Sequence, residues 1–273
     1  MVSKTIRQNP LQLTTLQKNY ERALLKGFRK FKSDALVALS YTRNLEERFL
    51  EPNFDLSTFD DQMDRYIQID ILQPSKAIIE DYDTKAYKQG SVFAERQLKN
   101  IGIVIALGVD TPIDQNVIKN LISKDISNLK NITQTMSTQI MRELSQGNQA
   151  GESYNKMAAR LVDRWSAIGV TRAKTLTRTE TQFAANEAAK TRYEQAGIEF
   201  AEWLTAADER VSDQDQNKNG IVFELAKGIT NGALPGQGYS PRDSATIPPS
   251  HPNCRCAIVA LTEAMVRARG LIK

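Results

Sequence analysis

Pro248-Pro249-Ser250-His251-Pro252-Asn253-Cys254-Arg255-Cys256 gathers the only histidine and both cysteines of a 273-residue chain into one short stretch. Imidazole and thiol are the side chains that borderline-soft metals prefer. The prolines fix φ and hold their neighbours extended or in a turn, so the stretch cannot be helical. It reads as a rigid turn that presents His251, Cys254 and Cys256 and feeds a short strand, Ala257-Ile258-Val259-Ala260-Leu261. Residues two apart on an extended chain share a face, which puts both thiols on one side.

Upstream of this turn the texture is strand and loop. Ile198 to Leu204 alternates as a half-buried strand does, and Gly220-Ile221-Val222-Phe223 turns into another. A polar stretch, Asp208 to Asn219, lies between them, and a Gly/Pro/Ser-rich loop, Gly228 to Thr246, follows. Before Gly197 the pattern is helical. One helix is expected over Leu11–Phe49, ended by Pro52. A second carries Phe59, Met63, Tyr66, Ile67 and Ile71, and a third restarts at Pro74-Ser75 and runs to about Asn100. Ile101 to Gly108 fits a strand or an apolar loop. A long helix over about 112–145 starts at Thr111-Pro112 and breaks at Ser145-Gln146-Gly147-Asn148. Another opens at Gly151-Glu152-Ser153, and after Gly169 a last one runs from about Thr171 to Ala196. The fold expected is α+β: a mainly helical N-terminal region, residues 1–147, then a compact α+β domain with a small sheet, residues 148–273.

The ordinary apolar and charged fractions, 41% and 25%, fit a globular chain, and no apolar run approaches a membrane span. The N-terminus has no secretory core, so synthesis in a reducing cytoplasm is expected. Two cysteines one residue apart would close almost no loop as a disulfide. Charge is unevenly spread. Residues 1–32 hold eight Lys/Arg against one acid, residues 33–83 hold four against twelve, and residues 156–192 hold eight against three. Solvated helix faces explain such blocks most simply; the sharper reading is a surface for a polyanion. Lys18, Arg22, Lys26, Arg29, Lys30 and Lys32, with Arg160, Arg164, Arg172 and Lys174, are the candidate phosphate contacts. They would bind DNA without reading bases and with strong salt dependence.

His251, Cys254 and Cys256 would give zinc three ligands. With no other Cys or His, a fourth must be a carboxylate, from Asp208, Asp213 or Asp215, or else water. The plain alternative is a turn held by its prolines and packing, with Asp208 and Arg210 bonding its backbone. Asp215 to Val222 also matches the first half of a calcium loop, but Ala226 stands where the bidentate Glu should be. An Arg178–Glu180 pair reads first as a packing ion pair and second as a catalytic Glu180 beside a metal-bound water. P-loop, dinucleotide-binding, deaminase and Ser-His-Asp patterns are absent, so enzymatic readings have little support.

Taken in order, Arg178-Thr179-Glu180-Thr181 with Ala184, Asn186 and Ala189, then Gly197, then Trp203, Thr205, Asp208 and Arg210, then Gly220 and Phe223, then Pro248-Pro249, His251-Pro252-Asn253-Cys254-Arg255-Cys256, resemble the Mu F-like minor head proteins of tailed bacteriophages. The resemblance to this head morphogenesis family covers about residues 150–262. It implies a structural, non-enzymatic protein of the virion, inside the head near the portal vertex, assembled in the host cytoplasm and present in few copies. Implied partners are the portal protein, capsid or scaffold components and packaged double-stranded DNA, with no membrane; some members leave with the genome. Many relatives carry cysteines just after the Asp-x-Arg, where this chain has Ser212 and Asp215.

Overall fold

The computed structural model describes residues 11–46, 56–103 and 115–273. The expected stop at Pro52, the Thr111-Pro112 start and residues 104–108 of the apolar stretch lie outside the described residues. The helices are α1 (Thr14–Glu46), α2 (Leu56–Tyr66), α3 (Gln73–Asn100), α4 (Gln115–Gln149), α5 (Tyr154–Arg164) and α6 (Thr171–Gln195). Strand β1 (Phe200–Leu204), helical turn α7 (Asp213–Gln216), β2 (Val222–Glu224), α8 (Gly228–Gly232), β3 (Ala257–Leu261) and α9 (Glu263–Ala268) follow. The α+β reading holds: long helices first, then a small antiparallel sheet.

Three expected helix breaks are not breaks. Pro74 does not restart the chain; a π-helical turn, Ile67–Leu72, joins α2 to α3, and the Gln73 N–H bonds Gln68 O. The widened turn absorbs a residue whose ring would otherwise clash with the carbonyl four back. A second π-turn, Trp165–Val170, carries α5 into α6 through Gly169. Here glycine serves packing, since a Cβ would lie 2.6 Å from Met136 Sδ. At Gly147 the helix also continues. α4 ends instead at Gly151, where φ is +65° and the Glu152 N–H closes back on Gly147 O at 2.9 Å. That is the left-handed C-terminal cap that glycine allows. Gly197 ends α6 in the same way, as expected, with the Ile198 N–H on Tyr193 O at 3.0 Å.

The described residues divide into two compact units, one drawn from residues 11–18, 82–103, 115–121 and 178–273, the other from residues 19–46, 56–81 and 122–177. In the second unit Phe28, Phe31, Phe59, Met63, Met136, Ile140, Met157 and Leu161 are buried. The indole N–H of Trp165 donates to Phe28 O at 2.8 Å, and Lys32 lies 4.7 Å over its ring.

The first unit holds the sheet, in the order β2-β1-β3, all antiparallel. Register pairs Ala201 with Phe223 and Ala260, and Trp203 with Ile258. These residues share one face and join Ala185, Ala189 and Tyr193 of α6 in the main core. The alternate positions Phe200, Val222 and Leu261 meet Val266 of α9 on the other face. The period of two in the sequence thus becomes two buried faces. α3 and α6 touch backbone to backbone: a Cβ on Gly90 would lie 2.0 Å from Ala185 O.

Candidate functional site

The sheet has an edge at β3, and α6 closes it with side chains. Asn186 donates from Nδ2 to Cys256 O at 3.1 Å, and its Oδ1 accepts the Ile258 N–H at 3.3 Å. Gln182 donates to the same Cys256 carbonyl at 2.7 Å, and the Tyr193 hydroxyl to Ile258 O at 3.3 Å. One amide thus stands in for the peptide groups of a missing neighbouring strand. It leaves these edge groups paired, so they are no template for another strand. Burial raises the Tyr193 pKa far above its ordinary value, so its hydroxyl remains a donor.

The turn that leads into β3 is fixed at both ends. Pro248-Pro249 is a cis peptide, and Asn253 sits at φ +61°, where asparagine is tolerated better than most residues. Its N–H donates to Thr179 Oγ1 at 3.1 Å, which ties the start of the Arg178-Thr179-Glu180 motif to the turn. Arg255 reaches the other way. Its guanidinium grips both oxygens of Asp208, with Nη1 2.7 Å from Oδ2, and Arg210 donates to Asp208 from its side chain (3.0 Å) and its backbone (3.1 Å). The Arg255 hydrogen bonds hold the Asp208 carboxyl far below the usual carboxylate range against a smaller burial penalty. Asp208 therefore supports the turn through the side chain of Arg255, where the sequence pointed to bonds with the turn backbone.

Of the three candidate aspartates, Asp215 is the one that meets the thiols. Asp215 Oδ2 lies 2.8 Å from His251 Nε2, 3.1 Å from Cys254 Sγ and 3.3 Å from Cys256 Sγ. Asp208 is taken by the arginines, and Asp213 is exposed in the first turn of α7. Donor atoms of Asp215, His251 and Cys254 all fall within 4.8 Å of one another, a set that could hold a metal ion. Ser212 Oγ, which caps α7, is 3.0 Å from the same His251 nitrogen. Burial alone would raise the Asp215 pKa, but hydrogen bonds from Ser250, Cys254 and Cys256 hold it below the ordinary value. The neighbouring Cys254 and burial together push the Cys256 thiol far up, so a metal-free site keeps it protonated.

Behind Asp215 stand residues that sequence reading missed. Lys218 is 1% exposed, 3.3 Å from Asp215 Oδ1, hydrogen-bonded to Asp243, and 5.0 Å from the Trp203 ring centre. Burial works against its ammonium, but Asp243 and Asp215 outweigh that and raise its pKa. A lysine in a polar stretch gives no sign in sequence that it will be buried. The calcium-loop pattern dissolves in the same place. Asp215 turns to the thiols, while Asn219 Oδ1 accepts from Thr205 N and Oγ1 at 3.0 and 2.9 Å. Gly220, at φ +83°, supplies the turn into β2.

The cavity at the turn measures about 10 Å³ and is lined by Ser212, Asp215, His251 and both cysteines among others; Glu180, buried on α6, does not line it. That is room for about one water-sized atom and not for a nucleotide. Among the candidate DNA contacts the structure separates two sorts. Lys30 pairs with Asp34 and Asp70, Arg160 with Glu143 and Glu152, Arg164 with Glu143 at 3.6 Å, and Lys174 with Glu21 at 3.7 Å. Lys18, Arg22, Lys26 and Arg29 are exposed on α1 at steps of four, four and three, one face of a helix; Arg172 is exposed on α6.

Residues 138–259 match the family described as Phage Mu protein F like protein, a range that takes in the α6 motif, the Asp208–Arg255 clamp and the His/Cys turn. No curated protein and no solved structure matches the chain. The family suggests a phage head morphogenesis protein and a structural, non-enzymatic role. Over residues 138–259 this chain is similar to the Phage Mu protein F like family.

Proposed function

We propose that this chain is a minor head protein of a tailed bacteriophage, acting as a structural and assembly component inside the head at the portal vertex and touching packaged double-stranded DNA without sequence preference. The observation that carries the DNA contact is the row Lys18, Arg22, Lys26 and Arg29 on the exposed face of α1. Such a row is suited to phosphates, and no base-reading element accompanies it among the described residues. The structural role rests on the turn before β3. Its motif residues are spent on one another, and its cavity is too small for a nucleotide substrate. The protein is made in the host cytoplasm and carried in the virion; among the described residues no helix is long and apolar enough to cross a membrane.

The test is co-purification of the full-length chain with the portal protein of its phage across a salt series, with DNA present and absent. A portal complex that survives salt, with a DNA component that fades steeply, supports the reading. A chain that ignores the portal but turns over DNA or nucleotides with added zinc overturns it in favour of a metal-dependent enzyme.

A further inference from the structure

Asp215 divides its two oxygens. Oδ2 faces His251, Cys254 and Cys256, whereas Oδ1 accepts from the Ser250 hydroxyl and from buried Lys218. His251 Nδ1 lies 2.8 Å from Pro252 O, a contact that needs the proton on Nδ1. The other ring nitrogen, Nε2, faces Asp215 Oδ2 at 2.8 Å. A positive charge between these two atoms, either a proton or a metal cation, suits that approach. Two buried sulfur atoms beside the same oxygen favour a thiophilic cation. Zinc bonds of about 2.0–2.3 Å would space tetrahedral donors by roughly 3.3–3.8 Å, so the three donors that now face Asp215 Oδ2 at 2.8, 3.1 and 3.3 Å need to draw away from it by about 0.5 Å or less.

We propose that Asp215 is the fourth ligand of a zinc ion shared with His251, Cys254 and Cys256, and that buried Lys218 is the positioning residue that makes this carboxylate a one-sided ligand. Two thiolates and a carboxylate around a dication leave one net negative charge. The Lys218 ammonium balances it from the far oxygen, and Asp243 in turn holds Lys218 in place. Ser250 and Lys218 occupy Oδ1, so Oδ2 alone is offered to the metal. Outer groups of this kind fix ligand orientation and tune affinity. The inference concerns what closes the turn and does not depend on the head role.

The experiment uses the full-length chain, zinc alone and cobalt(II) alone. Elemental analysis of wild type reconstituted with zinc is expected to give one zinc per chain, and the cobalt form to show sulfur-to-metal charge transfer with intense tetrahedral d–d bands. Asp215→Cys retains the metal, while Asp215→Asn weakens it about 100-fold in chelator competition. Lys218→Met weakens it roughly 10-fold or more and alters the cobalt d–d bands, and Lys218→Arg restores both. Should Lys218→Met fail to fold by circular dichroism, Lys218→Met/Asp243→Asn, which also removes the Asp243 charge left without its lysine, takes its place with the same expectation. Wild type without zinc after reconstitution, or Asp215→Asn binding as wild type does, overturns the site. Unchanged affinity and spectrum in the lysine variant overturns the role of Lys218.

Discussion

Asn186 and Cys256 lie 70 positions apart, and the Asn186 amide donates to the Cys256 carbonyl at 3.1 Å while accepting from the Ile258 N–H. A helix side chain thereby finishes the hydrogen bonding of a strand and fixes where the two thiols stand. Asn186→Ala leaves the Ile258 N–H buried without its acceptor and should cost about 2–3 kcal/mol in urea denaturation. Asn186→Asp keeps an acceptor but sets a carboxylate against the Cys256 carbonyl, so it should be the worse of the two.

Asp208 and Arg255 predict an acid dependence. The carboxyl pKa is depressed in the folded chain by Arg255, so its stabilisation is complete above the unfolded value of about 4 and is lost as pH falls below it. Asp208→Asn should flatten the loss of melting temperature between about pH 4 and pH 2. At neutral pH it should cost about 1–2 kcal/mol, discounted for the partly exposed pair. A melting curve whose acid slope is unchanged in the variant would assign that dependence to other carboxylates.

Gly90 predicts a steric effect. Gly90→Ala places a methyl 2.0 Å from Ala185 O, a backbone atom that cannot turn aside, so α3 and α6 must move apart. The expected loss is about 3 kcal/mol or more, seen as a lower denaturation midpoint or insoluble protein.

The α1 cations separate into two kinds of variant. Arg22→Ala/Lys26→Ala/Arg29→Ala should leave the melting temperature in place and lower the slope of log K for DNA against log salt by about 0.9 for each phosphate no longer neutralised. Lys30→Ala should do the reverse, because it strips the partner from the buried Asp70 carboxylate. Equal effects of both variants on DNA binding would remove the distinction between row and ion pair.

The sequence made the strand after the His/Cys turn legible because prolines, a pair of alternating thiols and an apolar run agree over fourteen residues. Gly197 was legible as a helix stop for a similarly local reason. Pro74, Gly147 and Gly169 misled because local rules for Pro and Gly were overridden. A π-turn absorbed the proline, a glycine was tolerated in the helix, and another was needed for close packing against Met136 and Phe28. The fourth member of the cluster was not readable, since three aspartates within eight residues look alike until the chain folds. Only the fold sends Asp208 to Arg255 and Asp215 to the thiols. Lys218 and Asp243 gave no signal, because the burial of Lys218 depends on carboxylates, Asp215 and Asp243, that only the fold brings to it.

A minor head protein has its place in the phage head. Quantitative mass spectrometry of purified, nuclease-treated particles of the phage that carries this chain tests it most directly. The account predicts the chain in every preparation at a few copies per particle, in constant ratio to the portal protein and far below the main shell protein. Its absence from particles of full infectivity would contradict the account.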